Sequence, residues 1–195
     1  MSTTLKERVA LERIVAGAFA ELTGRKEKPL RYALMDDTPV GLLGLAVGER
    51  GLCRVDFVQD EEQFLRRLLD DFGDRPVFRS DRLDAVRREL DRYFSGRSLK
   101  FDLDVDLSVV TGFSRKVLDA TARIPAGRVL TYTAVAAKAG NARASRAAGN
   151  ALHHNPVAIV VPCHRVLRSD GSLGGYGGGL PAKEWLLRHE GAMLL

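Results

Sequence analysis

The densest chemistry in this 195-residue sequence is Pro162-Cys163-His164-Arg165, a thiol followed at once by an imidazole and a guanidinium. A cysteine attacks as its thiolate, and a neighbouring base or positive field supplies that form. Cys163 comes directly after Pro162, which ends the apolar run Ala158-Ile159-Val160-Val161. That run reads as a short buried strand, so the sulfur is expected on a rigid edge. A Cys-His step alone also fits an inert buried thiol, and Cys53, inside another apolar run, is read that way. Glu190 adds a second signal. In the last turn of an expected helix a carboxylate opposes the macrodipole, at about 0.3–1 kcal/mol, and an imidazole such as His164 would offset that cost. The set then has the logic of a triad, in which carboxylate orients imidazole and imidazole draws the proton from the thiol. An exposed glutamate that tolerates its place is the alternative.

Other residues carry weaker signals. Arg143 and Arg146 stand three apart in an expected helix rich in small residues (Ala144, Ala147, Ala148, Gly149, Ala151), which suits close contact with a DNA backbone or groove as well as tight internal packing. The run Gly174-Gly175-Tyr176-Gly177-Gly178-Gly179 lacks the Lys-Ser/Thr ending of a phosphate-binding P-loop, and reads as a loop that lets backbone approach a flat ligand. His153, His154, His164 and His189 show no zinc-ligand spacing, so no metal site is expected.

Around these residues the chain divides into two halves, expected as domains over 1–108 and 109–195. Leu11, Val15, Ala18 and Leu22 recur at helical spacing, predicting a helix over residues of about 5–22. After a polar connector from Gly24 to Pro29, apolar runs at 31–35, 40–47 and 52–58 are separated by turn residues and read as a small antiparallel meander. Helices are expected near 61–72 and 81–94, then an alternating apolar and acidic stretch over 99–107 and a linker over 108–112. In the second half, Phe113, Val117, Ala120 and Ile124 mark a helix ended by Pro125 and Gly127. Thr131 can cap a short helix ending near Ala139, and Asn141 can cap the next, running to about His153. Two helices joined by a Gly-containing turn make a helix-turn-helix. Pro181 opens a last helix, which Gly191 closes. The fold class is therefore two-domain α/β, with a sheet and helices first and a mostly helical domain carrying the site second.

The net charge of +5 is unevenly placed: from Thr111 onward there are 11 Lys+Arg against 4 Asp+Glu, and before it 19 against 21. A basic second half suits a polyanion, since neutralising phosphates releases counterions. No apolar run is long enough for a membrane helix. Lys6, Glu7, Arg8, Glu12 and Arg13 break any secretory-signal pattern. Two cysteines make no disulfide framework, and a reducing cytoplasm is expected.

Taken together, Asn155-Pro156-Val157-Ala158-Ile159-Val160-Val161-Pro162-Cys163-His164-Arg165-Val166, Gly174 to Leu180, Lys183-Glu184-Trp185-Leu186-Leu187, and upstream Ile124-Pro125-Ala126-Gly127 with Thr131-Tyr132 closely resemble the O6-alkylguanine-DNA alkyltransferases, over roughly residues 90–191. The resemblance implies a ribonuclease H-like N-terminal domain and direct-reversal DNA repair. In that reaction the alkyl group of O6-alkylguanine, and possibly of O4-alkylthymine, passes once and irreversibly to Cys163. It implies activation of Cys163 through His164 and Glu190, with Asn155 bracing the turn before the site. Tyr132 would meet the flipped base and its phosphate, and Arg146 would enter the stack from the minor groove. Asn141, Ser169, Thr133 and Arg143 would lie near the DNA backbone, while Tyr176, Gly177 and Val166 would form the substrate pocket. No cofactor is implied, and the partner is double-stranded DNA, bound by a monomer or by copies assembling cooperatively.

The sequence also departs from the family. Ala158 stands where many relatives have proline, no Cys/His zinc set occurs in the N-terminal half, no phosphotriester-repair domain is fused, and the helix over 5–22 has no clear counterpart. That helix is expected to pack on the N-terminal domain. Competing functions fit less well. A thiol hydrolase has no use for Arg146 in a helix-turn-helix, a non-repairing DNA binder of this family carries tryptophan in place of Cys163, and a plain regulator leaves Cys163 and Glu190 unexplained.

Overall fold

The computed structural model describes residues 5–24, 28–80 and 83–192. Helix α1 (Leu5–Thr23) leads into strands β1 (Leu30–Met35), β2 (Leu43–Gly48) and β3 (Gly51–Phe57), then α2 (Glu61–Phe72), β4 (Val77–Arg79) and α3 (Asp84–Phe94). Residues 25–27 of the connector expected over 24–29, and 81–82 at the start of the helix expected over 81–94, fall outside the described residues. The meander forms as expected, β1–β2 and β2–β3 pairing antiparallel. The sheet is nevertheless mixed, in the order β3-β2-β1-β4, because β4 adds parallel to β1. Helix α2 is fixed at its start by Asp60, whose carboxylate accepts from the Gln63 amide at 2.8 Å, and it ends at Gly73 with φ +63°. One face of the sheet buries Leu30, Tyr32, Ala46, Cys53, Val58, Phe64 and Leu68 around α2. Helix α1 is tied in by Phe19, while Leu11, Ile14 and Leu22 stay exposed. Its Arg13 and Ala16 face Lys28, Arg31, Val47 and Val86 across a cavity of about 580 Å³.

The second domain consists of α4 (Gly112–Ala122), β5 (Leu130–Thr131), α5 (Tyr132–Lys138), α6 (Ser145–His153), a 3-10 turn over Cys163–Arg165, β6 (Val166–Leu167) and α7 (Gly179–His189). Thr131 caps α5, accepting from the Ala134 amide at 3.1 Å. Three expectations are corrected here. The Asn141 side chain closes a local turn, accepting from the Arg143 amide at 3.1 Å, so α6 begins only at Ser145. Arg143 therefore precedes the helix and shares no helical face with Arg146. Pro181 sits inside the first turn of α7, which starts at Gly179.

The third correction concerns Ala158 to Val161, which is not a strand. Val157 forms one bridge to Val55 of β3, and the chain then turns through Ile159 at φ 71°. A left-handed β-branched residue costs about 1–3 kcal/mol, and here Asn155 over-determines the turn. Its Oδ1 accepts from the Val157 amide at 3.1 Å and its Nδ2 donates to the Val161 carbonyl at 2.8 Å. The apolar run reflected burial rather than extension, since Ile159 and Val161 both lie in the core. The edge of β3 is where the halves join: Val55 donates to the Pro156 carbonyl at 2.9 Å and accepts from the Ala158 amide at 3.0 Å. Among the described residues no helix is long and apolar enough to cross a membrane.

Candidate active site

Cys163 opens the 3-10 turn immediately after the segment pinned to β3, and it is 9% exposed. Its Sγ accepts from Asn155 Nδ2 at 3.2 Å. Burial pushes the thiol's pKa up, against the Asn155 hydrogen bond and the charge of Lys183, so the resting sulfur keeps its proton. His164 and Arg165 follow, both buried, and both turn to Glu190 at the end of α7. His164 Nε2 lies 2.9 Å from Glu190 Oε1, Arg165 Nε donates to Oε2 at 2.7 Å, and Arg165 Nη2 donates to Oε1 at 2.8 Å. Arg165 Nη1 also donates to the Ile124 carbonyl. Burial on its own would raise Glu190, but the bonds from His164 and Arg165 outweigh it and bring its pKa to about 2. Burial depresses His164 more than Glu190 raises it, which keeps the imidazole neutral. With a carboxylate as partner, Nε2 carries the hydrogen and Nδ1 is left as a buried nitrogen with no protein partner.

A cavity of about 550 Å³ opens over the sulfur. Its lining joins Tyr132 and Thr133 at the start of α5, Ser145, Arg146, Gly149, Leu152 and His153 of α6, Cys163, Arg168 and Ser169 after β6, and Gly175, Tyr176 and Gly177 of the glycine loop. Gly174 has φ +67°, and a Cβ there would stand 2.9 Å from the Tyr132 hydroxyl, so this loop passes the tyrosine only as glycine. Lys183, with no exposed surface, donates to the Val166 and Leu173 carbonyls and ties β6 to the loop's start. Burial lowers its pKa to about 8, and the thiolate form of Cys163 acts the other way.

A thiol at the wall of such a cavity, backed by a buried imidazole and an ionised carboxylate, is equipped for one proton transfer and one nucleophilic displacement. Two family models divide the chain along the same lines. Residues 30–107 match the 6-O-methylguanine DNA methyltransferase ribonuclease-like domain, and 112–192 match that family's DNA binding domain. The chain belongs to the 6-O-methylguanine DNA methyltransferase family.

Several members of this family are similar over nearly their whole length. The methylated-DNA–protein-cysteine methyltransferase of Methanosarcina barkeri is 39% identical over 154 residues, 79% of this chain and 93% of the relative. That of Mycolicibacterium paratuberculosis is 38% identical over 162 residues, covering 81% and 93%. Among solved structures, the Mycobacterium tuberculosis O6-methylguanine methyltransferase superposes with a TM-score of 0.72 at 32% identity, covering 84% of this chain and 93% of that one. The M. tuberculosis OGT in complex with DNA gives 0.70 at 32%, with the same coverage.

Of the residues singled out by sequence, Cys163, Tyr132, Thr133, Arg146, Ser169, Tyr176 and Gly177 come together around the cavity. His164, Glu190 and Asn155 stand behind Cys163 in hydrogen-bond reach of one another or of the sulfur. Val166 does not line the cavity: it is fully buried and paired with Leu130, serving the core. Asn141 and Arg143 also lie off its lining, in the turn before α6. Sequence reasoning missed Arg165 as the principal partner of Glu190, together with Lys183 and Arg168. For Arg165 the available signal was the same unfavourable carboxylate at a helix C-terminus, which calls for a cation as much as an imidazole.

Proposed function

We propose that the protein repairs duplex DNA by taking the alkyl group of O6-alkylguanine, and secondarily O4-alkylthymine, onto Cys163. The observation that carries this is a buried thiol lining a cavity shared with Tyr132 and Arg146, while Glu190 and His164 stand behind it. The damaged base leaves the stack and enters the cavity, at a cost of a few kcal/mol that poor pairing reduces. Arg146 fills the place it leaves, from the minor groove. The thiol's proton passes through a bridging water to His164 Nδ1, which has no protein partner, and the imidazolium is stabilised by Glu190. The sulfur lone pair then forms the S–C bond as the C–O6 bond breaks, and that electron pair stays with guanine. Tyr132 gives its proton to the departing base, which leaves neutral, and the proton held on His164 returns through solvent to the tyrosinate, so that the imidazole and the phenol are both restored. A thioether remains, with no leaving route, so each molecule reacts once.

The same reading assigns Thr133, Asn141, Arg143 and Ser169 to phosphates, Tyr176 and Gly177 to the base, and the division of labour to residues 1–108 and 109–195. It takes the protein as a cytoplasmic monomer that assembles side by side on longer DNA, a feature measured by the dependence of binding on duplex length. The deciding experiment mixes the protein with a duplex containing one O6-methylguanine and reads intact mass. One added methyl is expected on the wild type and none on Cys163→Ala. A folded wild type that gains no methyl overturns the proposal.

A further inference from the structure

Glu190 has a third donor, and it comes from the other domain. Tyr93 of α3, with no exposed surface, donates its hydroxyl to Glu190 Oε1 at 2.6 Å, across 97 residues of sequence. The same tyrosine accepts at its backbone carbonyl from His189 Nε2 at 2.6 Å, and its ring packs against His189, Phe94 and Phe101 at centroid distances of 5.2, 5.5 and 5.0 Å. One N-terminal residue thus grips both positions at the end of α7. We propose that Tyr93 is a positioning residue of the transfer relay, holding the Glu190 carboxylate ionised and oriented so that His164 keeps Nδ1 free to accept the thiol's proton. This inference rests on Cys163 being the alkyl acceptor.

The physical argument is one of competition. Oε1 is shared by Tyr93, His164 and Arg165, and each donor draws density from the oxygen that stabilises an imidazolium. The charged or titratable groups facing this oxygen are Tyr93 from α3, His164 and Arg165 from the 3-10 turn, with Cys163, Lys183 and Tyr176 acting on their neighbours. Burial, then the Glu190 charge, push the Tyr93 pKa far up, so its hydroxyl is a permanent donor. Without it, Glu190 becomes more basic and His164 holds a proton to higher pH, which removes the acceptor.

The test is the single-turnover transfer rate from an O6-methylguanine duplex as a function of pH, at saturating DNA. Tyr93→Phe is expected to move the acid limb up by about half a unit, with transfer at alkaline pH restored close to wild type. Phe101→Leu, which disturbs the same packing but keeps the hydroxyl, is expected to lower the melting temperature and leave the limb in place. An unmoved limb in Tyr93→Phe, or an equal movement in Phe101→Leu, overturns the proposal. A wild type that transfers nothing overturns the reading of Cys163 instead. Should Tyr93→Phe not fold, 3-fluorotyrosine at position 93, a stronger donor, is expected to shift the limb down, and an unmoved limb there overturns the proposal equally.

Discussion

Between the sheet and α2, the N-terminal half encloses Leu30, Ala46, Cys53, Phe64 and Leu68, and its ion pairs run from the exposed Arg79–Glu61 to the partly buried Arg54–Asp56. The C-terminal half instead buries His164, Arg165, Lys183 and Glu190, the first two directly after Cys163 in the chain. The energetic consequences run in opposite directions. A rim pair such as Arg79–Glu61 contributes about 0–1 kcal/mol, so the first half is stabilised by apolar burial. A buried ion pair recovers little beyond its desolvation, yet losing one partner strands the other. Apolar burial stabilises both sides, since the larger core draws on Val117, Leu118, Ile159 and Leu186 as well as on Leu43, Leu45 and Leu90, but the second half adds buried charged groups that cannot be removed singly.

The sharpest way to break this contrast is Glu190→Ala, which leaves Arg165 buried without its carboxylate. A loss of about 3–5 kcal/mol is expected by chemical denaturation. Linkage gives the pH signature. Glu190 is depressed from 4.5 to about 2, so its stabilisation is present above about 4.5 and disappears as pH falls towards 2. Melting temperature against pH should fall less steeply over that window in Glu190→Gln than in wild type. An unchanged slope would show that another group dominates acid unfolding. Gly44→Ala probes the other half. A Cβ there enters the Phe64 ring, and overpacking is expected to cost about 1–3 kcal/mol while leaving methyl transfer per folded molecule unchanged. A matching fall in transfer rate would erase the proposed division. The smallest stability effect is expected for Arg146→Ala, within about 0.5 kcal/mol by melting. Repair of duplex DNA should slow, while reaction with a free O6-alkylguanine base persists, and equal loss on both substrates would remove Arg146 from base displacement.

What the sequence made readable follows from the range of each signal. Local ones succeeded: Thr131 as the cap of α5, the turns between β1, β2 and β3, and the uncomfortable carboxylate at Glu190 that pointed to His164. Signals that depend on distant partners failed. Strand β4 has only three residues and exists because β1 offers it an edge. The Ala158–Val161 run has the composition of a strand, but Asn155 bends it into a turn through side-chain bonds that composition does not encode. Asn141 looked like a helix cap because a cap and a local turn use the same side-chain acceptor. Tyr93 stands where the family resemblance starts weakly, at Tyr93-Phe94-Ser95-Gly96, but nothing there signals the role of its hydroxyl, which matters only once α3 and α7 have met.

The separation of those partners also sets an order of events during synthesis. Cys163 precedes Glu190 by roughly the distance from His164 to Glu190, 26 residues. At about 5–20 residues per second, a ribosome needs roughly 1–5 s to cover that stretch. Throughout that interval the growing polypeptide carries Cys163 and His164 without the carboxylate that His164 contacts in the folded chain. On the proposed role of Cys163, reactivity is withheld from unfinished molecules, and an acceptor used once is armed only after translation has passed α7.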